Sequence, residues 1–494
     1  MPSHAPIEAF PTWAHFNGVQ FMGVKLQDVG HGKGFGLLAE SDVQGSAVKM
    51  VGEETRTILR IPRDLVLSAE AVQEYAKVDQ NFKQLLEIAG RKSTRGDILL
   101  FLVAHLAQGR QSGGLTPSPW TEYIRFLPRS IPVPTMWSDV ERQLLNGTSL
   151  EAALKAKRAT LQTEFEGLSV MTQPLPFWDA LLWGREEMCI EDWALVDAWY
   201  RSRCLELPRS GAAMVPGLDM VNHSSQPSSF YEEEDSTDDV VLLVRPGTSV
   251  SKGNEVTISY GDAKPASEML FSYGFIDPST SASPMTLHVD PFPDDPLSVA
   301  KLHVFNGARV LKLVEEVDEE GVCGVRWYSP FVYLMCLNEE DGLSFQVLEE
   351  PCGDRQLGLL WQGEDVSEQI DDFETLIRDH ELCQVFRLRA VALVLQMVQE
   401  QLASIRNGPS DDDLEPAQEA GLLRPSCIAT AKLLREVEGQ LLARAVEVLG
   451  REKDTLLADD HVVAYLGSME HFPIGKSPQP ASADGEDQNE ADFS

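Results

Sequence analysis

The chain has 494 residues, of which 43% are hydrophobic and 24% are charged, a composition that predicts a globular fold with more than one core. Its 77 acidic and 41 basic side chains give a formal net charge of -36, which disfavours binding to the phosphate backbone of nucleic acids and favours basic protein partners. The seven cysteines form no C-x-x-C pair, so neither a disulfide framework nor a cysteine-rich zinc site is expected.

The N-terminal segment, "MPSHAPIEAFPTWAHF", has no basic region and no apolar core of signal-peptide length. No stretch of the chain approaches the ~18 apolar residues that a membrane span requires. These features predict a soluble intracellular protein without a membrane partner. We expect it in the cytoplasm, with the nucleus as a second compartment.

The first segment, residues 1–62, is predicted to form short strands around a glycine-rich loop. The stretches "GVQFMGVKLQDV", "LLAESDV", "GSAVKMV" and "TRTILRIP" alternate apolar and polar positions, and the loop between the first two is "GHGKGFG". This loop fails the dinucleotide-binding pattern because Phe35 stands three positions after Gly32, and it fails the P-loop pattern because Gln27 stands where a glycine is needed. It is either a flexible loop that can lie against a ligand or a plain connection between strands.

Residues 63–205 have helical periodicity, and strand patterns return in residues 206–290. The stretch "GDILLFLVAHLAQ" predicts a buried helix, and "SLEAALKAKRATLQTEFEGL" predicts a second helix with Ser149 as its N-cap. The later strands are predicted in "AAMVPGLDMV", "VVLLVRPG" and "EVTISYGD". Because strand-rich segments flank the helical one, we expect distant segments to pair into a single split sheet core.

Residues 291–466 are predicted to be helical. The clearest helices are "ELCQVFRLRAVALVLQMVQEQLASI" and "IATAKLLREVEGQLLARAVEVLGREKDTLL". Residues 467–494 combine low apolar content with several acidic side chains and are predicted to be a disordered acidic tail.

Candidate functional residues follow the later strands. Asn222 and His223 come directly after an apolar run, where a turn is the ordinary explanation. Tyr260 ends a predicted strand and Tyr273 lies in "MLFSYGFID"; a glycine follows each tyrosine, so its ring can border a narrow opening. Simple packing of both rings with wet hydroxyls is the alternative. The sequence has no H-E-x-x-H or Cys/His cluster for a metal and no G-x-S-x-G for a hydrolase nucleophile.

The order of these motifs resembles that of SET-domain protein methyltransferases, in the branch typified by the Rubisco large-subunit lysine methyltransferase. The matching pieces are the glycine loop, Asn-His-Ser, "GNEVTISYG" and "MLFSYGFID", joined by "SPWTEYIRFLPRSIPVPTMWS", "LLNGTSL" and "WYRSRC" in the helical insert. The resemblance implies an α+β fold, in which a split β-rich SET domain with a helical insert is followed by an all-α substrate-binding domain. The implied boundaries are 1–62, 63–205, 206–290 and 291–466, with the tail at 467–494.

The resemblance also implies the site residues. The positions matching the family's S-adenosylmethionine site are Lys33, Gly34, Phe35, Arg203, Asn222, His223 and Tyr260. Tyr260 matches the catalytic tyrosine as well, and the positions matching substrate contacts are Asp219, Tyr231 and Tyr273. The family's second basic position, four residues beyond Arg203, is Leu207 here, and no metal is expected.

The chemistry implied by the resemblance requires an uncharged amine. A free lysine with a pKa of about 10.4 is neutral only about 0.04% of the time at pH 7, and an aromatic channel lowers that pKa by desolvating the ammonium. We therefore expect a monomeric, S-adenosylmethionine-dependent protein-lysine N-methyltransferase that acts on a non-histone, basic protein, with ribosomal proteins as candidates. A catalytically inactive SET-fold binding module and a protein-histidine methyltransferase on the same fold stay open as alternatives.

Overall fold

The computed structural model describes residues 5–30, 33–45, 56–110, 114–184, 187–261, 264–277, 279–317, 323–349 and 355–470. The chain divides into two compact units. The first comprises Met1–Leu287, Lys312–Tyr328 and Val398–Ala445. The second comprises His288–Leu311, Ser329–Met397 and Val446–Ser494. All predicted site residues belong to the first unit.

The strands are short and are distributed along the whole chain. In chain order they are Gln20–Phe21 (β1), Val24–Asp28 (β2), Phe35–Ala39 (β3), Val43–Gln44 (β4), Thr57–Ile61 (β5), Cys204–Leu207 (β6), Gly211–Met214 (β7), Ser229–Glu233 (β8), Val240–Val244 (β9), Ser249–Val250 (β10), Glu255–Val256 (β11), Met285–His288 (β12), Val310–Val317 (β13), Cys323–Tyr328 (β14), Leu343–Glu349 (β15), Arg355–Trp361 (β16) and Glu364–Asp365 (β17).

The α-helices lie mainly between β5 and β6 and after β12. In chain order they are Phe10–Phe16 (α1), Ala69–Val78 (α2), Gln80–Ala89 (α3), Thr94–Gln108 (α4), Pro119–Tyr123 (α5), Asp139–Arg142 (α6), Leu150–Thr172 (α7), Pro176–Trp183 (α8), Ile190–Arg203 (α9), Ala266–Tyr273 (α10), Ser298–Val304 (α11), Pro330–Cys336 (α12), Phe373–Leu376 (α13), Cys383–Arg406 (α14), Asp411–Glu419 (α15), Pro425–Leu457 (α16) and Asp460–Glu470 (α17). Among the described residues, no helix combines the length and apolarity needed to cross a bilayer.

Strands from both sides of the helical insert pair with one another, as the split pattern predicted. β5 pairs antiparallel with β9, with Arg60 opposite Val241, and β3 pairs antiparallel with β11, with Leu37 opposite Val256. β4 pairs with β10 in the same sense. Every residue of β9 is buried, and its sequence, VVLLV, suits the interior of a sheet. The α+β class with a split sheet is confirmed.

The helical insert contains the buried helix expected from "GDILLFLVAHLAQ". α4 begins after Ser93, whose Oγ accepts a hydrogen bond from the backbone N–H of Gly96 over 3.0 Å. The helix is buried from Asp97 to Ala107, which agrees with its apolar side chains on every face.

The cap predicted for α7 is wrong. The helix begins at Leu150, but the Ser149 side chain accepts no capping hydrogen bond, and its backbone is already helical, with φ -59° and ψ -22°. An N-cap needs an extended backbone to turn its side chain back towards the helix. The Ser149 hydroxyl instead donates to the buried carboxylate of Glu438.

The region 291–466 is not all helical, so this part of the expected fold is corrected. It contains α14 and α16 where long helices were predicted, but also β13 to β17. β13 and β14 form an antiparallel hairpin, and β15 pairs with β16 over its whole length. In β13 the side chains of Leu311 and Leu313 are buried on either side of exposed Lys312, a period of two that the expectation of a helical domain overlooked.

The first unit also includes residues that follow the predicted boundary at position 291. Val398–Ala445 belongs to it, and its apolar side chains share one buried cluster with the insert. Members of this cluster are Leu150, Leu154, Leu423 and Leu434. Of the predicted tail, residues 467–470 lie in α17 and the rest falls outside the described residues. The predicted strand "GSAVKMV" also lies outside them, except for Gly45.

Candidate active site

A cleft of about 630 Å³ opens in the first unit, next to α9, β6 and α10. The predicted site residues that line it are Arg203, Asp219, Tyr231, Tyr260 and Tyr273. The five other predicted positions do not line it: Lys33, Gly34, Phe35, Asn222 and His223. The predicted catalytic and substrate positions therefore share one cavity with Arg203.

An aromatic group surrounds Tyr260. The ring centroids of Tyr260 and Tyr273 lie 4.6 Å apart. The centroid of the His223 ring lies 5.3 Å from that of Tyr260. Phe275 is 6.4 Å from Tyr260 and 6.3 Å from Tyr273. Four rings thus form a compact apolar wall with two hydroxyls.

Three hydrogen bonds fix Tyr260. Its hydroxyl donates to the carbonyl oxygen of Val221 over 2.9 Å, and its backbone N–H donates to Nδ1 of His223 over 3.1 Å. Its own carbonyl oxygen accepts from the hydroxyl of Tyr273 over 3.1 Å. The tyrosine ring is therefore held from both ends.

Tyr273 owes its position to the end of α10. The helix stops at Gly274, whose φ of +83° is left-handed and whose added Cβ would come within 2.7 Å of the carbonyl carbon of Pro132. Only glycine fits both conditions without strain. The helix therefore ends at this point and leaves Tyr273, its last residue, at the cleft.

Asn222 and His223 do not form a simple turn. The Asn222 carbonyl oxygen accepts a hydrogen bond from the N–H of Ile258 over 3.0 Å, and the N–H of Ser224 donates to the Ile258 carbonyl oxygen over 3.0 Å. His223 and Ile258 thereby form a parallel bridge. This pairing brings the Asn-His pair beside the segment that ends in Tyr260.

His223 is buried as a neutral ring. Burial lowers its pKa, although the carboxylate of Asp277, 3.9 Å from Nε2, opposes the shift. Because Nδ1 accepts from the Tyr260 N–H, the ring proton belongs on Nε2, which faces Asp277.

A polar group joins the glycine loop to Asn222 through Glu255. The Asn222 amide donates to Oε1 of Glu255 over 2.7 Å and to the carbonyl oxygen of Phe35 over 3.4 Å. Lys33 Nζ lies 3.6 Å from Oε2 of the same glutamate.

Gly36 makes room for this group, because a Cβ there would lie 2.7 Å from Glu255 and 2.8 Å from the Asn222 amide. Lys33, Phe35 and Asn222 are thus brought together, and the Gly34 carbonyl closes the loop by accepting from Val29.

Arg203 and Asp219 form a buried ion pair. Arg203 Nη1 lies 3.1 Å from Oδ2 of Asp219, and burial alone would lower the arginine pKa, but this carboxylate outweighs it and the pKa is raised. The Tyr123 hydroxyl lies 2.6 Å and 2.7 Å from the two oxygens of Asp219, and the N–H of Gly217 donates to Oδ1 over 3.0 Å. The Asp219 carboxylate is therefore committed to internal partners, although the residue lines the cleft.

Tyr231 lies on β8 and lines the cleft with the other tyrosines. Its hydroxyl donates to the backbone carbonyl oxygen of Glu206 on β6, over 3.4 Å. Leu207, where the resemblance implies a basic position, is buried with only 2% of its surface exposed. The family's second basic contact has no counterpart at that position.

The tyrosines of the cleft stay protonated near neutral pH. Burial raises the pKa of Tyr273 to about 12, with a smaller contribution from Glu268. Burial raises the pKa of Tyr260 further, and Arg203 only partly opposes the shift. Both hydroxyls can therefore act as hydrogen-bond donors and acceptors without adding charge.

The site has features that fit a ligand with carboxylate and ammonium groups, such as S-adenosylmethionine. The Nε atom of Arg203 is buried without a hydrogen-bond partner among the described residues. Within the described part of the chain, no cluster of three or more His, Cys, Asp or Glu side chains could hold a metal.

Three residues of this arrangement were missed by sequence reasoning. Glu255 lies inside the motif "GNEVTISYG", Tyr123 inside "SPWTEYIRFLP" and Phe275 inside "MLFSYGFID". All three lie in motifs that carry the resemblance, so their place in those motifs is the signal that could have identified them as site residues.

The chain has sequence relatives among SET-domain proteins, whereas no protein-family model matches it. It is 25% identical over 400 residues to SET domain-containing protein 8 of Schizosaccharomyces pombe, a match that covers 79% of this chain and 88% of that protein. It is 25% identical over 325 residues to the Rubisco large-subunit N-methyltransferase of Pisum sativum, covering 62% and 59%. A match to the ribosomal lysine N-methyltransferase set10 of S. pombe has 24% identity and covers 46% of this chain and 38% of that protein.

Solved structures of the Rubisco large-subunit methyltransferase (LSMT) share the fold. The structure of LSMT bound to AdoMet superimposes with a TM-score of 0.65 at 19% identity, covering 96% of this chain and 98% of that one. The structure of its SET domain bound to methyllysine and AdoHcy gives a TM-score of 0.64 at 20% identity, with the same coverage. The resemblance inferred from the motifs is confirmed, and the chain has the SET-domain fold of the Rubisco large-subunit methyltransferase branch.

Proposed function

We propose that the protein is an S-adenosylmethionine-dependent protein-lysine N-methyltransferase. The observation that carries the proposal is Tyr260, which lines the cleft while its hydroxyl bonds to the carbonyl oxygen of Val221, the residue before Asn222. The same tyrosine therefore joins the cleft to the segment that carries the predicted cofactor residues. The activity in the names of the pea and set10 relatives and the AdoMet in the LSMT structure support the same function.

The residues expected to hold the cofactor lie in three parts of the chain: the glycine loop, the segment after β7 and the end of α9. Lys33, Gly34 and Phe35 would contribute from the glycine loop, and Asn222 and His223 from the segment after β7. Arg203 would contribute its unpartnered Nε. When bound, S-adenosylmethionine supplies an electrophilic methyl group.

The protein's own part is to bind the acceptor amine and keep it neutral. The rings of Tyr260 and Tyr273 line the cleft and, with Phe275 packed against them, would desolvate an entering lysine and so lower its pKa. Tyr260 and Tyr273 offer oxygen atoms that can accept a hydrogen bond from the amine without placing a negative counter-charge beside it. His223 is neutral as well, so it adds no repelling charge beside Tyr260. Positioning of this kind contributes about 7–11 kcal/mol to lowering a barrier in well-oriented reactions.

Two alternatives make different predictions for the same site. A SET-fold binding module would not need the hydroxyls of Tyr260 and Tyr273 in fixed positions. Each hydroxyl donates to a backbone carbonyl oxygen, and this ordering favours catalysis over a binding module. A histidine acceptor is already neutral at pH 7 for most of the time, so it has less need of a desolvating wall. The aromatic wall around Tyr260 therefore favours lysine.

The substrate is proposed to be a non-histone basic protein. The net charge of -36 would speed the encounter with a basic partner, and the name of the set10 relative supports ribosomal proteins as candidates. Recognition of the substrate by the region 291–466, a monomeric state, and a cytoplasmic and nuclear location stay predictions.

Transfer of labelled methyl groups tests the proposal. The wild-type protein and Tyr260→Phe are incubated with isotope-labelled S-adenosylmethionine and a cell extract, and labelled residues are identified by mass spectrometry. We expect label on lysine with the wild type and about a hundredfold less with the variant. Label on histidine would support the second alternative, and cofactor binding without any transfer would support the binding module.

A further inference from the structure

Four of the six charged side chains that line the cleft form ion pairs within the protein. Arg201 pairs with Asp197, with 2.8 Å between Nε and Oδ2, and Arg203 pairs with Asp219. Lys264 precedes α10 and pairs with Glu268 in the first turn of that helix. Among the described residues of the cleft, Glu206 and Arg245 are the charged ones outside these ion pairs.

Glu206 is different from these neighbours. It lies in the middle of β6, opposite Ala212 of β7, and its side chain is exposed to solvent at the cleft. Among the described residues its carboxylate has no ion pair or hydrogen bond, whereas its backbone carbonyl oxygen accepts from Tyr231. The strand pairing and the Tyr231 bond fix the backbone of Glu206, from which its unpaired carboxylate extends at the cleft.

The charge of Glu206 acts on the cavity rather than only on bulk solvent. After burial, which is the largest cause, it raises the pKa of Tyr231, a residue that lines the same cleft. Arg245 is the other lining residue without a carboxylate partner among the described residues, but its guanidinium lies 6.0 Å from the Phe230 ring and its Nε donates to Ser229. Glu206 is therefore the anionic group that a peptide in the cleft would meet.

We propose that Glu206 binds a basic side chain of the substrate beside the acceptor lysine, so that the enzyme prefers Lys or Arg next to its methylation site. This inference rests on the proposed lysine methyltransferase function and adds a local source of specificity to it. A carboxylate in the wall of the cleft attracts a flanking arginine and repels a flanking glutamate, so it distinguishes the two. Long-range attraction by the whole protein would not depend on which glutamate is removed.

The test uses synthetic peptides in which one acceptor lysine is flanked by arginine, glutamine or glutamate. Glu206→Gln and Glu206→Arg are compared with the wild type and with Glu232→Gln. Glu232 is an exposed glutamate on β8 that does not line the cleft, so its variant controls for the loss of one negative charge. The KM and kcat values are measured for each peptide.

We expect Glu206→Gln to raise the KM for arginine-flanked peptides roughly three- to tenfold and to leave their kcat nearly unchanged. The KM for glutamine-flanked peptides should change by less than about twofold, and Glu206→Arg should reverse the preference towards glutamate-flanked peptides. Equal effects of Glu206→Gln and Glu232→Gln, or effects that do not depend on the flanking residue, would overturn the inference while leaving the methyltransferase function intact. A wild-type protein that labels lysine in the cell extract but methylates none of the peptides would show that flanking residues do not direct recognition, which overturns this inference and leaves the proposed function intact.

Discussion

The hydroxyl of Tyr273 donates a hydrogen bond to the backbone carbonyl oxygen of Tyr260 over 3.1 Å. Their rings are 4.6 Å apart, so the two side chains form one unit although they lie on different elements. Tyr273 comes from the end of α10 and Tyr260 from the segment paired with Asn222 and His223. A substitution of Tyr260 can therefore test the methyl-transfer step, and a substitution of Tyr273 can test how the shape of the cleft affects the product.

Tyr260→Phe should reduce methyl transfer by about a hundredfold, or about 3 kcal/mol at the transition state, because the hydroxyl that orients the amine is lost. Cofactor affinity should change little, since the ring stays in place. Turnover is measured with labelled S-adenosylmethionine, and binding is measured by calorimetry. Tyr328→Phe, at a tyrosine on β14 that is 55% exposed, is the matched control and should behave as the wild type. Wild-type turnover in Tyr260→Phe would contradict the catalytic assignment.

Tyr273→Phe should change the number of methyl groups added more than the rate of the first addition. The substitution removes the donor to the Tyr260 carbonyl and one oxygen from the cleft, which leaves more room around the amine. Mass spectrometry of the product should show a shift towards more highly methylated lysine, with the first transfer reduced by less than about tenfold. An unchanged product distribution would argue against a role for Tyr273 in the channel.

Asn222→Ala and Glu255→Gln should both weaken the binding of S-adenosylmethionine. The Asn222 amide and the glycine loop are oriented by the same glutamate, and a hydrogen bond to a charged group contributes about 1.5–3 kcal/mol. Calorimetry should therefore show a loss of about tenfold or more in affinity for each variant. Glu232→Gln serves again as the matched control. If Glu255→Gln binds the cofactor as tightly as the wild type, Glu255 does not position this site.

Tyr123→Phe should lower the free energy of unfolding by about 1–3 kcal/mol, because it removes the hydroxyl that donates to Asp219 and leaves a buried carboxylate with fewer partners. The same variant should raise the KM for the substrate, since Asp219 and Arg203 both line the cleft. Urea denaturation gives the first quantity and steady-state kinetics the second. A stability loss with unchanged kinetics would limit Tyr123 to a structural role.

Glu438 should make the protein less stable as the pH rises through neutrality. Burial raises the pKa of this carboxyl group to about 7, although Ser149 and Arg435 oppose the shift. Because the folded-state pKa lies above the unfolded one, the stabilising effect of the neutral form is complete below about pH 4 and is lost as the pH passes 7. The loss should be on the order of 3 kcal/mol between pH 5 and pH 9.

Glu438→Gln, which stays neutral, should remove this part of the pH dependence and keep a hydrogen-bonding group near Ser149. Urea denaturation at pH 5, 7 and 9 checks the difference between the two proteins. Parallel pH profiles for wild type and variant would show that Glu438 does not titrate in this range.

The sequence predicted those site residues whose motifs occur in a recognisable order along the chain. Asn222, His223, Tyr260 and Tyr273 are of this kind; the structure places the last three in one contact group and pairs Asn222 with Ile258 beside it. Glu255 could not be distinguished from an ordinary surface charge, because only the pairing of β3 with β11 brings it to Asn222. The roles of Asn222, His223, Tyr260 and Tyr273 in binding and catalysis stay predictions.

Asp219 shows the opposite limit. Its substrate contact stays a prediction, and the structure adds that its carboxylate accepts a hydrogen bond from Tyr123, a residue 96 positions earlier in the chain. No local pattern predicts a partner at that separation. The strands within residues 291–466 were missed for another reason: two long helical patterns dominate this region, whereas each strand is at most eight residues long.

The pairing of β5 with β9 has a consequence for how the protein is made. Arg60 on β5 also bonds to Glu234, which lies 174 residues further along the chain. At a synthesis rate of about 5–20 residues per second, the first strands leave the ribosome roughly 10–30 s before their partners exist. During this interval the edge of β5 is open to other chains, so the nascent protein should depend on chaperones that protect exposed strands until the insert has been completed.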